Sequence, residues 1–189
     1  MEISPYSRVC KNLNKHQYQI LTSIGRYLDK PIYFFGSCIR DDFVKKSSDI
    51  DAIIFTDNVE KTKVLLDSKL QSLSDGILSY KSIKMLMDTH GDSSDITFDY
   101  LFRIKLTSYS TIDLVISNVR YKNRRLMHDY YVSAKINSNP ILYALLYIIK
   151  IMYHYGFINY PIYLQIKRMV SGLYSKTTTV MEIKPYIEL

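Results

Sequence analysis

Residues 34–55 read FFGSCIRDDFVKKSSDIDAIIF. An apolar run ends in Gly36-Ser37, a polar turn-forming segment follows, and Asp49-Ile50-Asp51 then leads into the apolar Ala52–Phe55. Side chains alternate along an extended chain, so Asp49 and Asp51 point to the same side. The wholly apolar tail predicts a strand buried on both faces. Two carboxylates side by side at the end of such a strand repel each other and lose hydration. A divalent cation relieves both penalties, so the pair reads as a metal site. Taken singly the pieces are ordinary: Gly-Ser is a turn, Asp-x-Asp is common on solvated edges, and Ser48-Asp49 can cap a helix or turn. Their conjunction at this spacing carries the signal.

The segment resembles the nucleotidyltransferase superfamily, which includes DNA polymerase beta, poly(A) polymerases, oligoadenylate and cyclic-dinucleotide synthases, and small bacterial nucleotidyltransferases. The shared pattern is a hydrophobic strand, Gly-Ser, about ten residues of connection, and Asp-hydrophobic-Asp. It stands here as Phe35-Gly36-Ser37 and Asp49-Ile50-Asp51, with Arg40 and Ser48 as in the small bacterial and poly(A) polymerase branches. Asp41 follows Arg40 where the small enzymes usually carry glycine. The resemblance implies an α+β fold, a mixed sheet with packed helices and a small C-terminal helical region. It also implies a third carboxylate downstream. Asp113, in the β-branched and aliphatic run Ser110–Ser117, is the preferred residue, because an unpaired charge is otherwise unexpected in such a strand. Asp99, in Thr97–Tyr100, is the competitor.

In the chemistry the resemblance implies, Asp49, Asp51 and Asp113 hold two Mg²⁺ or Mn²⁺ ions, and the substrate is a nucleoside triphosphate. Gly36 lets the backbone approach the triphosphate, while Ser37 and neighbouring amides donate to a phosphate. Arg40, Lys45 and Lys46 are further charge partners, although Arg40 can equally pair with Asp41 or Asp42. A later helical region closes the cleft in these families with a lysine or tyrosine, for which Lys150, Tyr147 and Tyr153 are the candidates here.

The chain has 189 residues, 47% of them hydrophobic, enough for one domain with a closely packed helical appendage. Its net charge of +7 exceeds what a triphosphate substrate accounts for and points to a nucleic-acid acceptor. The densest basic run is Arg120, Lys122, Arg124 and Arg125, interleaved with tyrosine, with Lys167-Arg168 as a smaller cluster. Such runs equally solvate an exposed helix face. Cys10 and Cys38 lack metal-ligand spacing and fit a reducing compartment. The polar N-terminus shows no signal peptide, and no stretch suits a membrane span, so an intracellular, cytoplasmic protein is expected. Richness in Ile, Tyr, Lys and Asn suggests an AT-rich coding genome, such as that of a large DNA virus, whose protein would work in the host cytoplasm.

Periodicity predicts a helix over 15–28, with Tyr18, Leu21, Ile24 and Leu28 inward, and a second over 59–73, with Val64, Leu65 and Leu70 inward. It predicts strands near 32–35, 49–55, 77–87, 96–107 and 110–117, and a short helix near 39–43. After residue 118 the pattern turns helical, so residues 1–118 are expected to form the core and 119–189 the closing region. Within the latter, 141–155 is apolar nearly all round and reads as the buried central helix of a small bundle. The reading that emerges is transfer of a nucleoside monophosphate to a nucleic-acid 3′ end. The alternatives are transfer to a protein or small molecule, or a subunit that binds protein or nucleic acid without turnover.

Overall fold

Asn14 and Gln17 close a capping box that starts the helix Lys15–Leu28: each side chain accepts from the other residue's backbone amide at 2.8 Å. The computed structural model describes residues 12–44, 48–74, 78–86, 98–107 and 110–172. Cys10, Lys45, Lys46 and residues 89–95 lie outside these.

Helix α1 (Lys15–Leu28) buries Leu21, Ile24 and Leu28 and ends at Asp29 in a left-handed conformation. Tyr18, expected inward, is exposed. Helix α2 (Val59–Leu73) starts at Asn58, whose side chain accepts from Lys61 N. Its buried ridge is Thr62, Leu66 and Leu70, so Leu70 is inward as expected, whereas Val64 and Leu65 are exposed. A polar residue takes the first inward place because the Thr62 hydroxyl is satisfied by Thr56 Oγ1 and Asn58 O.

Strands β1 (Ile32–Phe34), β2 (Ile50–Thr56), β3 (Ser79–Leu86), β4 (Phe98–Thr107) and β5 (Ser110–Asn118) form one mixed sheet in the order β1-β2-β5-β4-β3. Among the described strands only the pair β2 and β5 runs parallel. Alternation then divides the residues between two faces. Ile50, Ala52, Ile54, Ile112, Leu114 and Ile116 join α1 and α2 in the main core. Ile53, Phe55 and Val115 meet Tyr33 and Leu126 on the other face. Each large aliphatic side chain so buried stabilises the fold by about 1.5–3 kcal/mol relative to exposure. The expected α+β architecture is therefore present. In place of a helix near 39–43 there is a 3₁₀ turn at Gly36–Ile39.

A 3₁₀ turn (Val119–Tyr121) leads into α3 (Lys122–Ser138), α4 (Pro140–His154) and α5 (Tyr160–Gly172). Asn139 caps α4 by accepting from Ile141 N and Leu142 N, and Pro140 occupies the first turn, where no amide is needed. Gly156, with φ of 78°, closes α4 as its amide and that of Phe157 donate to Tyr153 O and Met152 O. Val132, Ile136, Leu146 and Val170 join the three helices. The expectation of a buried central helix is corrected here. α4 buries Leu146, Ile149 and Lys150, but Ile141, Leu145, Ile148 and Met152 on its other side are exposed among the described residues. An apolar sequence on every face does not supply the neighbours needed to cover every face.

Candidate active site

The parallel register of β2 and β5 sets Asp51 directly beside Asp113. Both lie on the sheet face away from α1 and α2. Asp49 stands just before β2 and is exposed at the rim. Ser37, Ser48, these three aspartates and Arg103 line one side of a cleft of about 560 Å³, and α4 and α5 line the other with Lys150, Tyr153, His154, Tyr160, Tyr163, Leu164 and Lys167. Asp99, the competitor, lies at the opposite end of the sheet, buried beside Ser117 and ion-paired with Arg125. The arrangement thus brings Asp113, and not Asp99, to the first pair.

Gly36 is shaped by the same carboxylate. Its φ is +68°, and a methyl group there would overlap Asp51 Oδ2 and lie 3.0 Å from Asp51 Cγ. The turn is pinned to β2 by Phe35 N donating to Asp51 O at 3.1 Å. Cys38 Sγ donates to Phe35 O at 2.9 Å and to Asp51 O at 3.4 Å. Burial pushes the Cys38 thiol well up, so it is a packing group rather than a nucleophile.

The charges divide into paired and unpaired. Arg40 is buried and grips Asp42 with two bonds, at 2.7 and 3.1 Å. Burial alone would raise Asp42, but the guanidinium outweighs it and holds the carboxyl below its usual range. Arg40 therefore serves Asp42, one of the two partners open to it in sequence, and is not among the cleft-lining residues. Lys150 donates to Asp42 O at 3.3 Å, and burial brings its ammonium down to about 8. Arg103, the register partner of Asp113 on β4, binds both Asp113 oxygens, at 2.8 and 2.6 Å. Among the described residues no hydrogen bond or ion pair reaches the Asp49 or Asp51 carboxylate. Asp51 is raised to about 6, by burial first and then by Asp113 and Asp49, with Lys167 opposing. Asp49 is raised as the cleft walls strip part of its hydration and Asp113 repels it, although the residue keeps exposed surface.

This donor set fits a hard divalent cation in its chemistry: free carboxylate oxygens in a setting that penalises their charge. The fit is best for Asp49 and Asp51. Among the described residues no three acidic, histidine or cysteine side chains converge as a ready ligand cluster, and the Asp113 oxygens sit in the Arg103 fork. Asp113 would reach a shared cation only if that fork shared or released it.

The basic run at 120–125 is dispersed. Arg125 pairs with the buried Asp99, Lys122 Nζ lies 4.5 Å above the Tyr33 ring, and Arg120 stacks on Tyr121. The Arg124 side chain is outside the described residues. All follow the far end of β5, roughly 17 Å of strand beyond Asp113 at 3.3 Å per residue. Of the expected cleft-lining residues, Lys150 and Tyr153 are present, while Tyr147 is exposed and stacks on Tyr143. Sequence reasoning missed Arg103, Tyr160 and Tyr163, and read Lys167 only as part of a smaller basic cluster. Tyr153 stacks on Tyr163 at 4.9 Å, and Tyr160 leans on both. The spacing of Tyr160, Tyr163 and Lys167 along one helix face was the available signal.

Residues 18–130, well over half of the chain, match the nucleotidyltransferase domain family. The chain belongs to that family, whose chemistry is transfer of a nucleoside monophosphate from a triphosphate. The match runs from α1 through the sheet and into α3, and so covers all three aspartates. A comparison with curated proteins found no match.

Proposed function

We propose that this protein transfers a nucleoside monophosphate from an NTP to an acceptor hydroxyl, with a nucleic-acid 3′ end as the acceptor. The observation that carries the reading is the pairing of Asp51 with Asp113 across parallel strands, on the face that lines the cleft, with the Asp49 and Asp51 carboxylates unengaged among the described residues. Asp49 and Asp51 would hold Mg²⁺ or Mn²⁺, with Asp113 the third ligand; a bound pair of such ions polarises the phosphate and favours the attacking oxygen. Lys167, free among the described residues and facing the aspartates, suits a triphosphate. Ser37 offers a hydroxyl to the same group. The stacked tyrosines supply a flat wall for a nucleobase. Residues 119–189 act as the closing region, since α4 and α5 form one wall of the cleft.

The acceptor assignment draws on charge. No aspartate or glutamate occurs between Asp129 and Glu182, so the helical wall repels no phosphate backbone. Arg120, and to a smaller degree Lys122, remain as outlying phosphate contacts; Arg125 is occupied. One observation favours a second reading: the Arg103 fork on Asp113 suits a nucleotide-binding subunit without turnover.

Incubation of the protein with each labelled NTP, Mg²⁺ or Mn²⁺, and RNA, DNA and protein acceptors distinguishes these. Metal-dependent extension of a nucleic acid, lost in Asp51→Ala, is the expected result. Transfer that survives this substitution overturns the mechanism, and NTP binding without any transfer favours the second reading.

A further inference from the structure

Helix α4 has two apolar faces, and the fold uses one. The unused stripe is Ile141, Leu145, Ile148 and Met152, continued by Tyr155 at the C-cap, exposed by 77, 43, 55, 39 and 74%. The steps between them are four, three, four and three residues, the spacing that keeps side chains on one seam between paired helices. No charged residue falls within the stripe, and among the described residues nothing covers it. The exposed area of these five side chains is roughly 600 Å², at the top of the range for the largest apolar patch on a monomeric protein.

We propose that α4 pairs with α4 of a second copy of this chain, antiparallel, across a two-fold axis at Ile148. The spacing reads the same in both directions to within one residue. Ile148 therefore meets its own counterpart, Leu145 meets Met152, and Ile141 meets Tyr155, as a self-complementary interface requires. Antiparallel pairing also opposes the helix dipoles, which parallel pairing would align. The two faces together bury roughly 1,200 Å², the lower edge of specific interfaces, so the dimer is reversible and assembles at micromolar concentration. The charge of +7 on each copy opposes association while the seam itself is uncharged. Added salt therefore strengthens the dimer, the reverse of an ionic interface. The opposite side of α4 carries Lys150 and Tyr153 of the cleft, so pairing braces the cleft wall from behind. The pairing does not depend on whether the cleft turns over substrate.

Sedimentation velocity of the full chain from about 1 to about 100 μM tests this range. The expected result is a monomer–dimer equilibrium that shifts toward dimer with salt, and a monomer at every concentration for Ile148→Lys. That variant should keep the wild-type circular dichroism spectrum, because the position is already exposed. In a Cys10→Ser background, oxidised Ile148→Cys should cross-link to itself. Ile141→Cys should cross-link only when mixed with Tyr155→Cys. A wild-type chain that stays monomeric at about 100 μM, or a dimer that survives Ile148→Lys, overturns the pairing, at concentrations where interfaces of this size normally form. Self-cross-linking of Ile141→Cys overturns the antiparallel arrangement.

Discussion

Replacing Asp51 with asparagine keeps the shape of the side chain and removes its charge. In the folded protein this carboxyl is raised from 3.8 to about 6, by burial first and by the neighbouring Asp113 and Asp49 charges. A raised acid favours folding while it is protonated. Its contribution is fully present below about pH 4 and is lost as the pH climbs through about 6. A tenfold change in proton affinity corresponds to about 1.4 kcal/mol, so ionised Asp51 costs about 3 kcal/mol before water in the open cleft is counted and about 1–2 kcal/mol after. At about 2–4 °C per kcal/mol for a chain of this size, Asp51→Asn should melt about 3–6 °C above the wild type at pH 8. The gap should close as the pH falls to 4. Melting curves by circular dichroism, in EDTA across this pH range, measure it. Added Mg²⁺ or Mn²⁺ should raise the wild type and leave the variant unchanged, because only the wild type offers the full ligand set. Equal melting temperatures at pH 8, or a less stable variant, would refute the claim that Asp51 is held at an electrostatic penalty.

Gly36→Ala should destabilise the fold by about 2 kcal/mol or more, since left-handed strain adds to overlap with Asp51. Gly156→Ala, with φ of +78° but open space around it, should lose only about 1 kcal/mol; equal denaturant midpoints for the two would contradict the steric argument. Arg103→Gln should bind Mn²⁺ more tightly in the absence of nucleotide, because the fork no longer occupies Asp113; weaker binding by calorimetry would remove the competition. Its stability should fall by only about 1 kcal/mol, as the guanidinium side is partly exposed. In a Cys10→Ser background, Cys38 should react with a thiol reagent at least about a hundredfold more slowly in the native than in the unfolded state, and labelling at the unfolded rate would contradict its burial.

Much of the fold is legible because its elements announce themselves locally. Caps at Asn58 and Asn139, the apolar runs of β2 and β5, and the inward ridge of α1 follow from propensity and period alone. The pattern misleads where period leaves a choice of face. In α2 it favours Val64 and Leu65 over the true ridge through Thr62 and Leu66, because a threonine whose hydroxyl is bonded elsewhere looks polar in sequence. In α4 the apolar pattern fits burial on any side, and only the packing of α3 and α5 shows which side is covered.

The sequence by itself determined the family, the Gly-Ser turn and the Asp49–Asp51 pair, since all depend on residues close enough in the chain to share one strand and one turn. Tertiary structure alone decided which distant carboxylate joins them. The register of β2 on β5 lies between segments sixty-two residues apart, and a slip of one residue would turn Asp113 to the other face. The same register places Arg103 on Asp113, and the same folding sends Arg40 to Asp42 and Arg125 to Asp99. Arg40 had two neighbours in sequence to choose from and the fold picked Asp42, whereas the partners of Arg103 and Arg125 lie ten and twenty-six residues away and are set by proximity in space.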